Sequence, residues 1–265
     1  MRMPPEFRGK TALVTGASSG LGKDFATALA ESGVNLVLCA RREDRLRELA
    51  NALMDAHCIE ATVIPIDLAV TDAAQTLFDE VGKRGITVDV LINNAGFGNF
   101  GAFVEIPWED EYALFHVNAI APLQLTKLFV RGMIERGEGW VLQVASIGAY
   151  QPSPTYVTYA ASKSLILSFA EALSYELRDT NVKVRALSPG VTDTEFFNVA
   201  GQEMTLYHRI VMMRSRRVAD IGLSMLSRRR ASRLAGLFNE LTIFAFRLLP
   251  RRWTAMLAYW TMRNK

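Results

Sequence analysis

Residues 11–30 read TALVTGASSGLGKDFATALA. The first five form a short apolar run, residues from about Leu21 have helical spacing, and three glycines, Gly16, Gly20 and Gly22, fill the join. A backbone that turns sharply and comes close to a pyrophosphate cannot carry Cβ atoms there, and the N-terminus of the next helix presents free N–H groups to the charge. The spacing GxxxGxG differs from the commoner dinucleotide spacing GxGxxG, so a tight strand-to-helix turn without a ligand is the competing reading.

Outward from this join the same beat repeats. VNLVLCA (34–40) precedes a charged helix from about Glu43 to Ala56, ATVIPI (61–66) one near 71–84, VDVLIN (88–93) a long one near 109–135, and WVLQVAS (140–146) one near 156–178; KVRALS (183–188) ends the regular series. Six apolar runs separated by helices signal βαβ units, and runs without polar alternation are buried parallel strands. The expected fold is α/β, a doubly wound, mostly parallel sheet with helices on both faces. No linker interrupts it, so the reading is one domain over 1–236, with residues 190–230 as an insertion over one end of the sheet, and a C-terminal helical appendage over 237–265.

The chain has 265 residues, of which 50% are hydrophobic and 22% charged, which excludes a disordered chain. Residues 1–200 carry 17 basic and 24 acidic side chains, residues 201–265 carry 13 and 3. That asymmetry implies contact with something anionic, membrane lipid, nucleic acid or a phosphate-bearing substrate, and does not choose among them. Two cysteines, Cys39 and Cys58, make neither a disulfide framework nor a metal cluster and suit a reducing compartment. The amino terminus has no apolar signal region, and no window reaches about 18 uninterrupted apolar residues, so a cytoplasmic location is expected.

Several strand ends carry chemistry. Arg41 and Arg42 follow the second run where a carboxylate would grip ribose hydroxyls; two guanidiniums suit an extra phosphate and favour NADP(H) over NAD(H). Alternatively they begin a solvated helix, pairing with Glu43 and Asp44. Asp67-Leu68 ends the third run near an adenine amino group, and Asn94, Ala95 and Gly96 of NNAG sit at the end of the fourth. Tyr159 and Lys163 stand four apart on one helix face, where an ammonium and a nicotinamide ring would bring the phenol pKa down toward the working range. Ser146, thirteen positions earlier, places a second hydroxyl donor for a carbonyl becoming an alkoxide. Asn118 either holds water beside Lys163 or is a helix-packing amide. The histidines His57, His116 and His208 lack ligand spacing, so no metal is assigned, and no GxSxG elbow surrounds Ser146.

Taken in order, TGASSGLG, Asp67, NNAG, Asn118, Ser146, YAASK and SPG (188–190) resemble the short-chain dehydrogenase/reductase family in its common short form, over about Gly9 to Val199. The resemblance implies a Rossmann sheet with a seventh strand near 231–235 and an Asn118–Ser146–Tyr159–Lys163 tetrad, with Tyr159 as proton donor or base. It implies cofactor contacts from Gly16, Ser18, Ser19, Gly20, Leu21, Gly22, Arg41, Arg42, Asp67, Leu68, Asn94, Ala95, Gly96, Tyr159, Lys163, Pro189, Gly190, Val191 and Thr192. Arg41 is similar to the NADP-binding arginine of one subgroup; the second basic residue often found before the middle glycine is Ser19 here. Members commonly pair through the helices near 109–135 and 156–178, so a homo-oligomer, dimer or tetramer, is implied.

The ending departs from the family and is distantly similar to hydroxysteroid dehydrogenases and very-long-chain 3-oxoacyl reductases. Leu241, Phe244, Leu248 and Leu249, then Trp253, Met256, Leu257 and Trp260, follow helical spacing on either side of Pro250, among Arg247, Arg251, Arg252, Arg263 and Lys265. This fits a helix in a membrane interface or a basic rim for a phosphopantetheine carrier; it equally fits a pair packed on the domain or on a second subunit. Phe196, Phe197, Val199, Met204 and Leu206 mark an apolar substrate lid within about 191–215. The expected activity is hydride transfer between NADP(H) and a lipophilic ketone, 3-oxoacyl or steroid-like carbonyl or alcohol, with no nucleic-acid partner. The competing readings are a catalytically silent NADP(H)-sensing or scaffolding protein and an NAD-dependent hydroxysteroid-type alcohol dehydrogenase.

Overall fold

Strand and helix alternate through residues 3–262, which the computed structural model describes. The regular series is β1 (Thr11–Thr15), α1 (Gly20–Ala30), β2 (Asn35–Ala40), α2 (Glu43–His57), β3 (Ala61–Pro65), α3 (Ala73–Lys83), β4 (Val90–Asn93), α4 (Trp108–Phe115), α5 (Ala121–Arg136), β5 (Gly139–Val144), α6 (Val157–Glu176) and β6 (Val182–Ser188). Beyond it come β7 (Thr192–Asp193), α7 (Phe196–Ala200), α8 (Leu206–Val211), β8 (Met213–Arg214), α9 (Ser215–Leu226), β9 (Ser232–Leu234), α10 (Leu237–Arg247) and α11 (Arg251–Met262).

Seven strands pair in the order β3-β2-β1-β4-β5-β6-β9, all parallel. The inner strands are largely apolar because both faces are covered, whereas β6 carries Lys183 and Arg185 and the edge strand β9 reads Ser-Arg-Leu. Val14, Leu38, Ile92 and Leu142 pack toward α1, α2 and α9; their neighbours Leu13, Val37, Leu91 and Val141 pack toward α3, α5 and α6. Chain order reverses between β1 and β4, which opens a crevice at their carboxyl ends, the place where such sheets bind ligands.

One helix joins α4 to α5 through a π-helical turn at His116–Ile120. This continuous helix is long and apolar enough to cross a membrane, but 61% of its apolar window is buried within the fold. The π turn adds a residue to the helical circuit and brings Asn118 to the buried side.

The insertion expected over 190–230 is shorter than that. Helix α9 packs on α1 and β6 and is the crossover before β9, with Val218, Ala219, Leu223 and Leu226 buried. Its apolar stripe is masked in sequence by three flanking arginines, Arg214, Arg216 and Arg217. Only the stretch between β7 and β8 leaves the sheet, and these two short strands pair to close it, with Met213 N–H donating to Val191 O at 2.9 Å. Strand β9 falls within the expected 231–235.

Candidate active site

The crevice is a cleft of about 420 Å3. Its floor begins at the glycine loop. Gly16 has φ +68°, and a Cβ there would lie 2.9 Å from the Ala95 backbone; a Cβ on Gly22 would lie 2.2 Å from Gly16 O. The loop therefore folds directly onto NNAG. Thr15 Oγ1 accepts from the N–H groups of Asn94 and Ala95, both at 3.0 Å, and Asn94 Nδ2 donates to Thr15 O at 2.9 Å. Ser19, extended at the start of α1, makes no side-chain cap, so the first-turn amides face the cleft uncapped by the chain's own side chains. Backbone free of side-chain bulk, beside an uncapped helix end, fits the pyrophosphate of a dinucleotide. Gly16, Ser18, Ser19, Gly20, Leu21, Gly22, Arg41, Arg42, Asp67, Leu68, Asn94, Ala95, Gly96, Tyr159, Lys163, Pro189, Gly190, Val191 and Thr192 all line this one cleft.

The two arginines differ. Arg42 turns into the glycine loop, donating to Ser18 Oγ (3.1 Å) and Ser19 Oγ (2.6 Å), and pairs with Glu195 at 3.0 Å. Arg45 holds the other Glu195 oxygen at 2.9 Å, and these two guanidiniums keep the Glu195 carboxyl below the ordinary range. Pairing of Arg42 with Glu43 is not what forms: Glu43 binds Arg47. Arg41 stays exposed, 4.0 Å from the Asp67 carboxylate. Glu195 has no signal in the sequence because it meets Arg42 only when the lid folds back, 153 residues away.

At the other end lie Ser146, Tyr159 and Lys163. Ser146 leaves β5 extended, its Oγ accepting from Gly148 N–H at 3.1 Å. Tyr159 and Ser146 line the same stretch of the cleft, and Ser146 acts to lower the phenol. Lys163, one helical turn on, is buried, donates from Nζ to Val144 O at 2.9 Å and lies 5.9 Å from the Tyr159 ring centroid. Burial depresses Lys163 to about 8. Burial also pushes Tyr159 up to about 12. The downward pull expected from the ammonium is not among the causes acting on the phenol: burial raises it, and Ser146 is the group that lowers it. Asn118 is buried but does not line the cleft. Its Oδ1 accepts from Phe97 N–H at 3.0 Å and its Nδ2 donates to Phe97 O at 2.8 Å, so the side chain pins the segment after NNAG to the helix.

The roof was legible only in part. Phe196, Phe197 and Val199 line the cleft as expected, whereas Met204 does not and the side chain of Leu206 lies outside the described residues. Tyr156 packs edge-on to Tyr159 and donates to Gln202 Oε1 at 2.8 Å, tying the lid to the helix that carries the phenol. Gln151 lines the wall, and its Oε1 is buried with no hydrogen-bond partner among the described residues. Asn239, Thr242, Phe246 and Thr261 complete the lining from α10 and α11. Asn239 fits beneath Gly190, where a Cβ would lie 2.3 Å from Nδ2. The composition boundary at 236 therefore does not separate the ending from the site. Arg263 and Lys265 lie outside the described residues.

A doubly wound parallel sheet whose switch point carries a phosphate cradle beside hydroxyl donors and a buried amine defines an oxidoreductase of the nicotinamide-dependent class. A profile of the short chain dehydrogenases matches residues 10–205, and the chain belongs to that family. It is similar to a short chain dehydrogenase of Pseudocercospora fijiensis, 36% identical over 224 residues, 82% of this chain and 72% of that protein. It is similar in structure to a 7beta-hydroxysteroid dehydrogenase, with TM-score 0.87 and 25% identity over 97% of this chain and 99% of that one, a match that reaches into the C-terminal helices. A Sphingobium yanoikuyae short-chain dehydrogenase in complex with NADPH (28% identity, 90% of this chain and 94% of that one) superposes at TM-score 0.80. A Burkholderia phymatum relative in complex with NAD (26% identity, 90% and 93%) does so at 0.80 as well.

Proposed function

We propose that this chain is a cytoplasmic NADP(H)-dependent oxidoreductase that interconverts the carbonyl and alcohol of a lipophilic substrate, a bulky ketone, 3-oxoacyl or steroid-like compound. The observation that carries the reading is one cleft holding Arg41, Arg42 and Ser18 at one end and Ser146, Tyr159 and Lys163 beneath an aromatic roof at the other. A nicotinamide dinucleotide held along the glycine loop and against Tyr159 and Lys163 would supply hydride for the carbonyl carbon. Ser146 and Tyr159 both donate to the carbonyl oxygen, and Tyr159 passes its proton to that oxygen as negative charge develops there. Lys163, an ammonium below about pH 8, stabilises the phenolate left behind. The aromatic lid and α10 exclude water from this exchange.

NAD(H) is the second reading, and Glu195 favours it, because its carboxylate already occupies Arg42 and Arg45 and adds negative charge beside a 2′-phosphate. Oxidation of NADPH and NADH against acyl thioesters, steroids and aliphatic aldehydes, with wild type, Arg41→Ala and Arg42→Ala, decides between them. Loss of a charge-assisted phosphate contact raises KM for NADPH by about tenfold or more and leaves NADH unchanged. Equal effects on both cofactors remove the phosphate role, and no turnover with any carbonyl supports a silent dinucleotide-binding protein.

A further inference from the structure

Helix α10 has two apolar faces. Asn239, Ile243 and Phe246 face inward, where Asn239 and Ile243 are buried and Phe246 lines the cleft. On the opposite side Leu237, Leu241, Phe244 and Leu248, spaced at i, i+4, i+7 and i+11, are all exposed, Phe244 at 64% and Leu248 at 75%. Helix α11 repeats the plan: Thr254 and Ala258 are buried and Thr261 reaches the cleft, while Trp253, Met256 and Leu257 stand exposed. One face against a core is ordinary; a second, exposed face of leucines and aromatics on the same helices marks a surface for a partner.

Charge selects that partner. Along α10 and α11 the only carboxylate is Glu240, and it lies within 4.0 Å of Arg230 and 3.8 Å of Arg233. Arg247, Arg251 and Arg252 are exposed at the junction of the two helices. A second copy of this chain docking through the same patch about a two-fold axis would set these arginines against themselves with no free acid to meet them. A bilayer bearing anionic headgroups satisfies both properties, since leucine and aromatic side chains enter the acyl boundary and guanidiniums remain among the phosphates.

We propose that the outer face of α10–α11 seats this protein on an anionic lipid surface, with the cleft opening at the rim of that face. The inner residues of the same two helices then guide a lipophilic substrate from the lipid phase to Tyr159 without passage through bulk water.

The test is flotation of the full chain with phosphatidylcholine vesicles, with and without phosphatidylglycerol. The chain floats with the mixed vesicles, remains soluble with phosphatidylcholine alone, and is released by high salt. Phe244→Glu and Trp253→Glu abolish flotation, and Arg251→Ala or Arg252→Ala each weakens it about fivefold, the size of one basic side chain at an anionic surface. Thermal melts of the variants show that they fold. None of these four residues lines the cleft, so turnover of a small water-soluble ketone stays at the wild-type rate. Flotation reads no catalysis, so it separates this proposal from the assigned activity. A full chain that stays soluble with anionic vesicles overturns the proposal. So does conversion of a dimer to monomer by the glutamate variants with flotation unchanged, or capture by an acidic acyl-carrier protein in place of vesicles.

Discussion

The floor of the cleft and its roof are built in opposite ways. Every group on the floor hangs from a strand end or from a helix packed on the sheet: Thr15 on β1, Asn94 after β4, Ser146 after β5, Lys163 on α6. Its hydrogen bonds are of ordinary length, part-buried and mutually supporting, as in the Thr15–Asn94–Ala95 stitch at 2.9–3.0 Å. The roof is assembled from α7, α8, α10 and α11, short helices that reach the core through a few side chains such as Phe197, Ile243 and Ala258 while much of their apolar surface stays exposed. A sheet buried on both faces holds reacting groups within fractions of an ångström, whereas a lightly anchored cover is free to vary with the substrate. The floor gathers the candidate reacting groups, and the roof supplies most of the apolar wall.

That division is broken most severely by Tyr159→Phe. Removing the proton donor lowers turnover by about a thousandfold while cofactor binding, read by fluorescence titration, stays near wild type. Retained turnover would remove Tyr159 as the acid.

The buried amine gives the floor a pH signature. Lys163 loses its proton near pH 8, so carbonyl reduction declines as pH rises through that value, and Lys163→Arg, which stays charged, shifts the decline upward if it retains activity. The stability sign follows from linkage. Folding lowers this lysine from 10.5 to about 8, so between those values the unfolded chain binds more protons and stability rises with pH. The rise amounts to about 3 kcal/mol at most and is absent in Lys163→Met, as denaturant titrations across this range would show.

The roof is probed by Phe246→Ala. It is expected to raise KM for a bulky lipophilic ketone by about tenfold, the value of an apolar wall of this size, with kcat for a small ketone unchanged. An equal loss on both substrates would move Phe246 from the roof into the catalytic floor.

The smallest effect concerns the seam between them. Thr155, just before α6, has φ +68°, a left-handed conformation that is strained for a β-branched residue. Thr155→Gly should raise stability by about 1 kcal/mol and Tm by about 2–4 °C. An unchanged melting curve would show that the seam stores no strain.

Much of the floor was legible because its signals are local. Glycines at a strand-to-helix join, an Asn-Gly strand end and a Tyr-x-x-x-Lys turn each state their geometry within a few residues. Helix α9 was hidden because arginines flank its apolar stripe, and Asn118 read ambiguously because the π turn that buries it leaves no composition signature. Glu195 and Asn239 carried no signal, since each meets the site through residues far along the chain.

Sequence alone therefore determined the alternating strands, the glycine loop and most of the polar side chains that gather in the cleft, because periodicity and turn chemistry act over a few residues. Tertiary structure decided which arginine meets the glycine loop, how far burial shifts the phenol and the amine, and that the basic ending forms part of the cleft. These depend on distances between segments remote in sequence and on the water they exclude, and both come into being only when the chain closes on itself.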